Sequence, residues 1–204
     1  MTKSLITHVR DLVPLRSLRP VEAYRLAELQ ADTLLKVLDI TEPPVPVEFV
    51  ADLPKVQVRY VAHWPSSGMT RWTHATWTVV INSSEPAVRQ RFSLGHELKH
   101  ILDDRFKDII YPNDGPMSEE RLQESVCDYF SGCLLVPKRW LRQAWTEGLQ
   151  NSFLLARHFD VSEPAIQVRL SQIGLTEPVD RHGQPRSRAY FRLGATATQS
   201  WEVA

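Results

Sequence analysis

The chain has 204 residues, which is enough for one compact domain with a small appendage and for a core that needs neither disulfide nor metal to fold. Its hydrophobic fraction of 43% and charged fraction of 24% are ordinary globular values and argue against global disorder. Lysine plus arginine and aspartate plus glutamate each total 24, so the formal net charge is zero and a whole-chain attraction to nucleic acid or an anionic membrane is not expected.

The N-terminal half of the chain is predicted to combine helices with two strands. Apolar periodicity and turn residues predict a helix over about Pro20–Leu38, a short helix over 46–53, a strand over Lys55–Ala62, a turn-rich loop over 64–71, a strand over His74–Ile81 and a helix over Pro86–Leu102. Ser83 or Ser84 is the expected N-cap of the last helix. The stretch TEPPVP at 41–46 ends the first helix, because proline cannot continue it.

The C-terminal half is predicted to be helical, apart from a polar loop over 104–117 and an irregular tail. The helices are expected over Ser118–Leu135 with Ser118 as cap, after Pro137, over 151–160 and over 162–173, and a short strand is a candidate at Ala189–Leu193. The fold class is therefore α+β. The expected domains are a core with its N-terminal helix over 1–148, paired helices over 149–175 and the tail over 176–204.

The cysteines and the N-terminus predict a cytoplasmic protein. Cys127 and Cys133 lie six positions apart in one predicted helix, about 9 Å of rise, which is too far for a disulfide between them. The first 20 residues lack the continuous apolar segment of a secretory signal. No segment approaches the run of about 18 apolar residues that a membrane span requires, so no membrane partner is expected.

One short motif carries chemistry: His96-Glu97-Leu98-Lys99-His100, an HExxH on the helix predicted over 86–102. Histidines four positions apart lie on the same helix face, so both imidazoles can reach one metal ion while Glu97 projects beside them. A catalytic zinc ion takes three protein ligands and leaves its fourth position to water. A polar surface helix is the alternative interpretation, but the pattern favours a metal site.

The third ligand is expected from a second helix. The extended motif with a downstream glycine and third histidine is excluded, since Asp103 and Phe106 occupy those positions. Glu124 fits instead, and Asp128 follows four residues later on the same helix face. A carboxylate at that position can accept a hydrogen bond from the ring nitrogen of a histidine ligand that does not bind the metal.

Two segments resemble the ImmA/IrrE family of zinc metallo-endopeptidases, which are gluzincin-like. Residues 91–102, RFSLGHELKHIL, are similar to the family's HExxH segment, and residues 124–137, ESVCDYFSGCLLVP, are similar to its later segment ending in LLxP. The resemblance implies His96, His100 and Glu124 as zinc ligands, Glu97 as catalytic base and Asp128 as partner of a histidine ligand. It also implies a zincin-like core, with a small sheet packed on the HExxH helix and on the Glu124 helix.

The chain departs from the family pattern at a few positions without losing a ligand or the base. Gly95, Cys127 and Ser131 stand where the family has alanines, and such small residues preserve close helix packing. Lys99 replaces the usual glycine, and two outcomes are open: its side chain extends into solvent, or it changes substrate access.

The resemblance implies an endopeptidase that cuts a helix-turn-helix transcriptional repressor and so derepresses stress, mobile-element or prophage genes. In the expected chemistry zinc polarises the scissile carbonyl and activates water, and Glu97 transfers the proton to the leaving amine. The alternative is a non-enzymatic DNA-binding or anti-repressor protein in which zinc is structural or absent. A structural zinc site would normally have four protein ligands and no need of Glu97, which favours the enzyme.

Residues 152–173 follow the pattern of a helix-turn-helix, with Ser162 capping the second helix. The side chains that could touch base edges are Gln167, Arg169, Ser171 and Gln172. The segment has as many acidic as basic residues, so direct DNA binding is not expected and a packing role is favoured.

Two further questions about the active site stay open. The donor to the tetrahedral oxyanion has four chemical candidates: His63, His74, Tyr111 and Tyr129. The strand over 74–81 comes directly before the HExxH helix and is the candidate for binding an extended substrate by strand addition. The oligomeric state is not determined by the sequence.

Overall fold

The structure is a computed structural model that describes residues 4–111 and 118–175. Its elements are α1 (Leu5–Arg10), α2 (Pro20–Val37), a 3₁₀ helix (Val47–Asp52), β1 (Val56–Val61), β2 (Gly68–Thr73), β3 (Thr76–Asn82), α3 (Ala87–Asp103), α4 (Lys107–Ile110), α5 (Glu119–Leu135), α6 (Lys138–Thr146), α7 (Ser152–Phe159) and α8 (Glu163–Gln172). The fold is α+β, as the sequence predicts. Within the described ranges no helix has the length and apolar character needed to cross a bilayer.

In the described part of the chain, the sheet has three strands in the order β1-β3-β2. The central strand β3 runs parallel to β1 and antiparallel to β2. Its residues Val79, Val80 and Ile81 are buried, which explains why β3 is the most apolar and β-branched of the three strands. Within residues 4–111 and 118–175 the outer strand β2 is therefore an edge strand, with one side unpaired in the sheet.

The prediction of a loop over 64–71 is wrong at its C-terminal end, where β2 begins at Gly68. The hairpin turn that pairs β2 with β3 consists of His74 and Ala75, which have φ values of 50° and 60°. Left-handed turns of this kind usually contain Asn or Gly, so neither residue indicates a hairpin in the sequence.

One helix packs on the sheet and two others pack behind it in succession. Helix α3 lies against β2 and β3, α5 packs against α3, and α2 packs against α5. Close approach of α3 and α5 depends on Gly95, since a Cβ atom at this position would lie 2.6 Å from Ser131 Oγ. Ser131 Oγ in turn donates a hydrogen bond to the carbonyl of Phe92 at 2.7 Å. The small residues that replace the family's alanines are thus at the α3–α5 contact.

The paired helices near the C-terminus of the described chain pack on the core through Arg169. Helices α7 and α8 occupy the two stretches predicted as helices, and Ser162 Oγ caps α8 by accepting from Ala165 N at 3.3 Å. Arg169 is 2% exposed and donates from Nε and Nη2 to the carbonyl of Val136, each at 3.2 Å. The expectation that Arg169 could touch base edges is therefore wrong, because its guanidinium group binds the end of α5.

Other local expectations differ from the structure at helix ends. Neither Ser83 nor Ser84 caps α3: Pro86 is the N-cap residue, and Ser84 Oγ accepts from His63 N at 3.0 Å. Helix α1 was not predicted, and its Arg10 donates to the carbonyls of Ile101 and Leu102 at the end of α3. The tail over 176–204, with its candidate strand at Ala189–Leu193, lies outside the described residues.

Candidate metal centre

A cleft of about 500 Å³ lies between the edge strand β2 and the helices α3 and α5. All five site residues that the sequence predicts line this cleft: His96, Glu97, His100, Glu124 and Asp128. Helix α3 places His96 and His100 one turn apart, and α5 crosses it so that Glu124 faces both rings. Residues separated by 24 to 32 positions in the chain are thus brought together.

Three potential metal donors converge at one point of the cleft. His96 Nε2 and His100 Nε2 lie 3.1 Å apart. Glu124 Oε2 is 3.2 Å from His96 Nε2, and Glu124 Oε1 is 3.3 Å from His100 Nε2. Two imidazole nitrogens and one carboxylate are the donor set of known catalytic zinc sites, so the chemistry of these residues fits that ion.

The outer nitrogen of each imidazole faces a polar side chain. His96 Nδ1 donates to Asp128 Oδ1 at 2.8 Å, which leaves Nε2 free to face the cleft. Gln123 Nε2 lies 3.4 Å from His100 Nδ1, and the alternative orientation of this amide would place its oxygen there as an acceptor. Gln123 was not among the predicted site residues, because a glutamine beside Glu124 carries no signal in the sequence.

The electrostatics of the centre favour a positive charge between α3 and α5. Burial disfavours a protonated His96, but hydrogen bonds with Asp128 and Glu124 outweigh it and raise the pKa of His96 to about 9. Hydrogen bonds from His100 and His96 hold the pKa of Glu124 far below its usual value. A cation bound among these groups would replace the proton that this raised pKa keeps on His96.

The carboxylate of Glu97 lies against Gly68 of the edge strand β2, where there is no side chain. Glu97 is 6% exposed, and a Cβ atom on Gly68 would lie 2.7 Å from Glu97 Oε1 and 3.0 Å from Glu97 Cγ. Because real Cβ atoms do not approach that closely, the position of the carboxylate requires glycine at residue 68. The contact joins β2 to α3 across the cleft and has no counterpart in the sequence pattern.

Cys127 lies next to the two histidines on the buried side. Its Sγ atom and one nitrogen from each of His96 and His100 all lie within 4.8 Å of one another. The side chain is fully buried, and burial raises the pKa of the thiol further than the nearby Lys99 lowers it. Glu124 carries a lowered pKa and faces both Nε2 atoms, so it offers a hard or borderline cation an ionised oxygen donor, whereas Cys127 offers a soft sulfur.

The side chain of Lys99 neither extends into solvent nor reaches the cleft, the two outcomes that the sequence left open. It is fully buried and does not line the cleft. Nζ donates to Asp103 Oδ1 at 2.6 Å and to Gln30 Oε1 at 2.7 Å, and the hydroxyl of Tyr111 donates to the other oxygen of Asp103. The lysine therefore belongs to a buried polar network between α2 and α3, behind the histidine pair.

The four candidate oxyanion donors are absent from the residues that line the cleft in the described chain. Tyr111 is buried and donates to Asp103, Tyr129 packs edge-on against Tyr24, and His63 and His74 lie at exposed turns. The strand expected to bind substrate, β3, is also excluded, because both of its edges are already paired with β1 and β2. The free edge beside the cleft belongs to β2.

Comparison with known proteins gives a family match and a match of the fold to solved structures. Residues 53–171 match the model of the IrrE N-terminal-like domain, Peptidase_M78. A solved structure titled "Mycobacterium tuberculosis transcriptional regulator" superposes with a TM-score of 0.60 at 18% identity, over 89% of this chain and 55% of that one. The chain thus spans about half the length of that structure, and the similarity shows the fold alone. No curated protein matches the sequence.

Proposed function

The chain belongs to the ImmA/IrrE family, and on that premise we propose that it is a zinc-dependent endopeptidase with a zincin-like core. The observation that carries the proposal is the convergence of His96, His100 and Glu124 at the bottom of an open cleft, with Glu97 beside them. A purely structural zinc site would normally have four protein ligands and no adjacent acid. The second function considered, a non-enzymatic regulator with structural or absent zinc, gives no role to Glu97.

His96, His100 and Glu124 would hold the zinc ion, because their donor atoms face one another at 3.1 to 3.3 Å. A separation of 3.1 Å between two Nε2 atoms is compatible with two zinc–nitrogen bonds of about 2.0–2.1 Å to one ion. When bound, zinc acts as a Lewis acid on the scissile carbonyl and lowers the pKa of water.

The remaining chemistry belongs to side chains of this chain. The carboxylate of Glu97 accepts a proton from the attacking water and delivers it to the nitrogen of the leaving amine. Asp128 keeps His96 in the tautomer whose Nε2 lone pair faces the cleft. Gly68 keeps the Glu97 carboxylate in place by leaving room for it against β2.

An extended peptide is the substrate form that the cleft fits. Among the residues that the structure describes, nothing pairs with the outer side of β2, and its residues Gly68 and Thr70 line the cleft opposite α3. A substrate segment would add to this edge through main-chain hydrogen bonds and so lie over the histidine pair. The proposal moves strand addition from β3, where the sequence placed it, to β2.

We further propose that the protein substrate is a helix-turn-helix transcriptional repressor, whose cleavage derepresses stress, mobile-element or prophage genes. Family membership supports this substrate class, and the similar solved structure is itself titled a transcriptional regulator. Direct DNA binding is not part of the proposal. In α8, which would be the recognition helix of a helix-turn-helix, the one arginine is buried against α5.

The test compares wild type with Glu97→Gln and Glu124→Ala. Wild type and Glu97→Gln are expected to retain about one zinc per chain after mild chelation, whereas Glu124→Ala loses it. Only wild type is expected to cleave a helix-turn-helix repressor encoded near its own gene, as followed by mass spectrometry. Glu147→Gln is the matched control and should cleave normally, since Glu147 is the exposed C-cap residue of α6 and lies outside the cleft.

Two results would contradict the proposal. Full derepression of target genes by Glu97→Gln in cells would make binding rather than hydrolysis the activity. Equal zinc content in wild type and Glu124→Ala would place the third ligand elsewhere.

A further inference from the structure

Two different third donors face the histidine pair from the same helix. Glu124 and Cys127 are three positions apart on α5, so they lie on one helix face. Glu124 approaches the two Nε2 atoms from the open side with a side chain that is 52% exposed, while Cys127 is fully buried. One donor is a hard oxygen and the other a soft sulfur, and these prefer different metal ions.

We propose that the histidine pair has a second coordination mode, in which Cys127 replaces Glu124 and the centre binds a thiophilic cation such as Cd²⁺. The proposal shares His96 and His100 with the proposed peptidase but does not depend on hydrolysis. It assigns a ligand class to a buried thiol that the peptidase chemistry leaves unused.

The geometry requires only a small adjustment. The three donor atoms lie within 4.8 Å of one another. With the bond lengths of tetrahedral zinc, about 2.3 Å to sulfur and 2.1 Å to nitrogen, ligand atoms lie roughly 3.5 Å apart, so a shift of about 1 Å would close the set. The larger Cd²⁺ ion has longer bonds and needs a smaller shift. Half of the Glu124 side chain is in solvent, so it can take another rotamer there, and the bound cation replaces the contacts that Glu124 gives up with the two Nε2 atoms.

Binding in this mode is balanced in charge and protons. The cation forms a bond with Cys127 Sγ, the thiol proton leaves to solvent, and no oxidant or reductant is needed. The bound ion lowers the pKa of a coordinating thiol enough to remove its proton, so burial of the free thiol does not prevent the exchange.

The experiment titrates the metal-free protein with CdCl₂ and follows the ultraviolet charge-transfer absorption of a cadmium–thiolate bond. Wild type and Glu124→Ala are expected to develop this band at one cadmium per chain. Cys127→Ser, which preserves the volume of the side chain, and Cys127→Ala are expected to lose the band and at least tenfold in cadmium affinity. Cys133→Ser is the matched control, since Cys133 is also buried on α5 but outside the donor cluster.

Zinc affinity gives the opposite pattern and separates the two proposals. Glu124→Ala should lose zinc, and the two Cys127 variants should keep it within about threefold. Absence of the band in wild type, its persistence in both Cys127 variants, or its loss in Cys133→Ser would overturn the cadmium mode. If wild type fails to bind zinc but gives the cadmium band, the peptidase proposal fails and the cadmium mode stands.

Discussion

Lys99 and Asp103, one turn apart on α3, form a fully buried ion pair next to the histidine pair in the chain. Charges are stable in a protein interior only when they are paired and hydrogen-bonded, and here Gln30 and Tyr111 supply the additional bonds. The network thus links α2, α3 and the residue that follows α4, and it fixes the helix that carries HExxH.

Removal of one member of this pair should destabilise the fold. Asp103→Ala leaves the Lys99 ammonium buried without its carboxylate, and we expect a loss of about 3–5 kcal/mol in the free energy of unfolding, measured in urea. The double variant Lys99→Met with Asp103→Leu should recover most of that loss, because apolar replacements remove both desolvated charges. A loss below about 1 kcal/mol in Asp103→Ala would show that the pair is solvated.

Gly68 is predicted to act on hydrolysis through Glu97. Gly68→Ala should reduce kcat by about 10²-fold, since its Cβ displaces the Glu97 carboxylate and misplaced groups of this kind cost such factors. Zinc content and thermal stability should be unchanged, which distinguishes positioning from loss of the site. The control Thr73→Ala, on the same strand but outside the cleft, should retain wild-type kcat. An equal loss of kcat in both variants would mean that a change in the strand, and not displacement of Glu97, lowers the rate.

Arg91 joins three elements at the start of the HExxH helix. Its guanidinium group donates to the carbonyl of Val45 at 2.7 Å and of Asp160 at 3.2 Å. It also pairs with the carboxylates of Glu48 and Asp160, each at 3.0 Å. The 3₁₀ helix, α3 and the turn between α7 and α8 therefore meet at one side chain.

Arg91→Ala should cost about 1.5–3 kcal/mol in the free energy of unfolding, because it removes the hydrogen bonds of the guanidinium group to two carbonyl groups and to two partly solvated carboxylates. Urea denaturation of wild type, Arg91→Ala and Arg91→Lys measures the effect. Lysine keeps the charge but not the planar donor geometry, so Arg91→Lys should fall between the other two. A lysine variant as stable as wild type would mean that charge alone is sufficient.

The residues of the proposed metal centre lie on α3 and α5, so zinc bound there should stabilise the folded chain without being needed for folding. The core is extensive and formed by buried side chains of the helices and of the central strand β3, and the metal-free protein is expected to unfold cooperatively. Zinc at 100 times its Kd should add about 2.7 kcal/mol, measured as a rise in Tm that a chelator reverses. Glu124→Ala should show little of this rise; a full rise would indicate binding at another site.

The contacts of Arg91 and Arg169 bear on the expected boundary near residue 148. Both side chains connect the paired helices α7 and α8 to the helices that form the cleft. Two domains at 1–148 and 149–175 stay a prediction, and the contacts favour a single cooperative transition. Calorimetry of the metal-free chain distinguishes one transition from two.

The amino-acid sequence was sufficient for features whose signals are local. Helices α2, α3 and α5 have apolar residues at helical spacing over 17 or 18 residues, and their bounds agree with the predictions to within one or two residues. The HExxH pentad likewise places two imidazoles on one helix face by spacing alone, and the family match agrees with the resemblance read from the residues around it.

The features that the sequence missed depend on contacts between distant segments. Partners 29 to 69 positions away in the chain determine where Lys99 is buried and why residue 68 is glycine. Strand β2, and with it the free edge of the sheet, forms by pairing across a turn of unusual composition. No local pattern encodes such partners, because a side chain's environment is set by the packing of α2, α3, α5 and the sheet together. For that reason local spacing predicted the donors, and the tertiary fold determined which groups surround them.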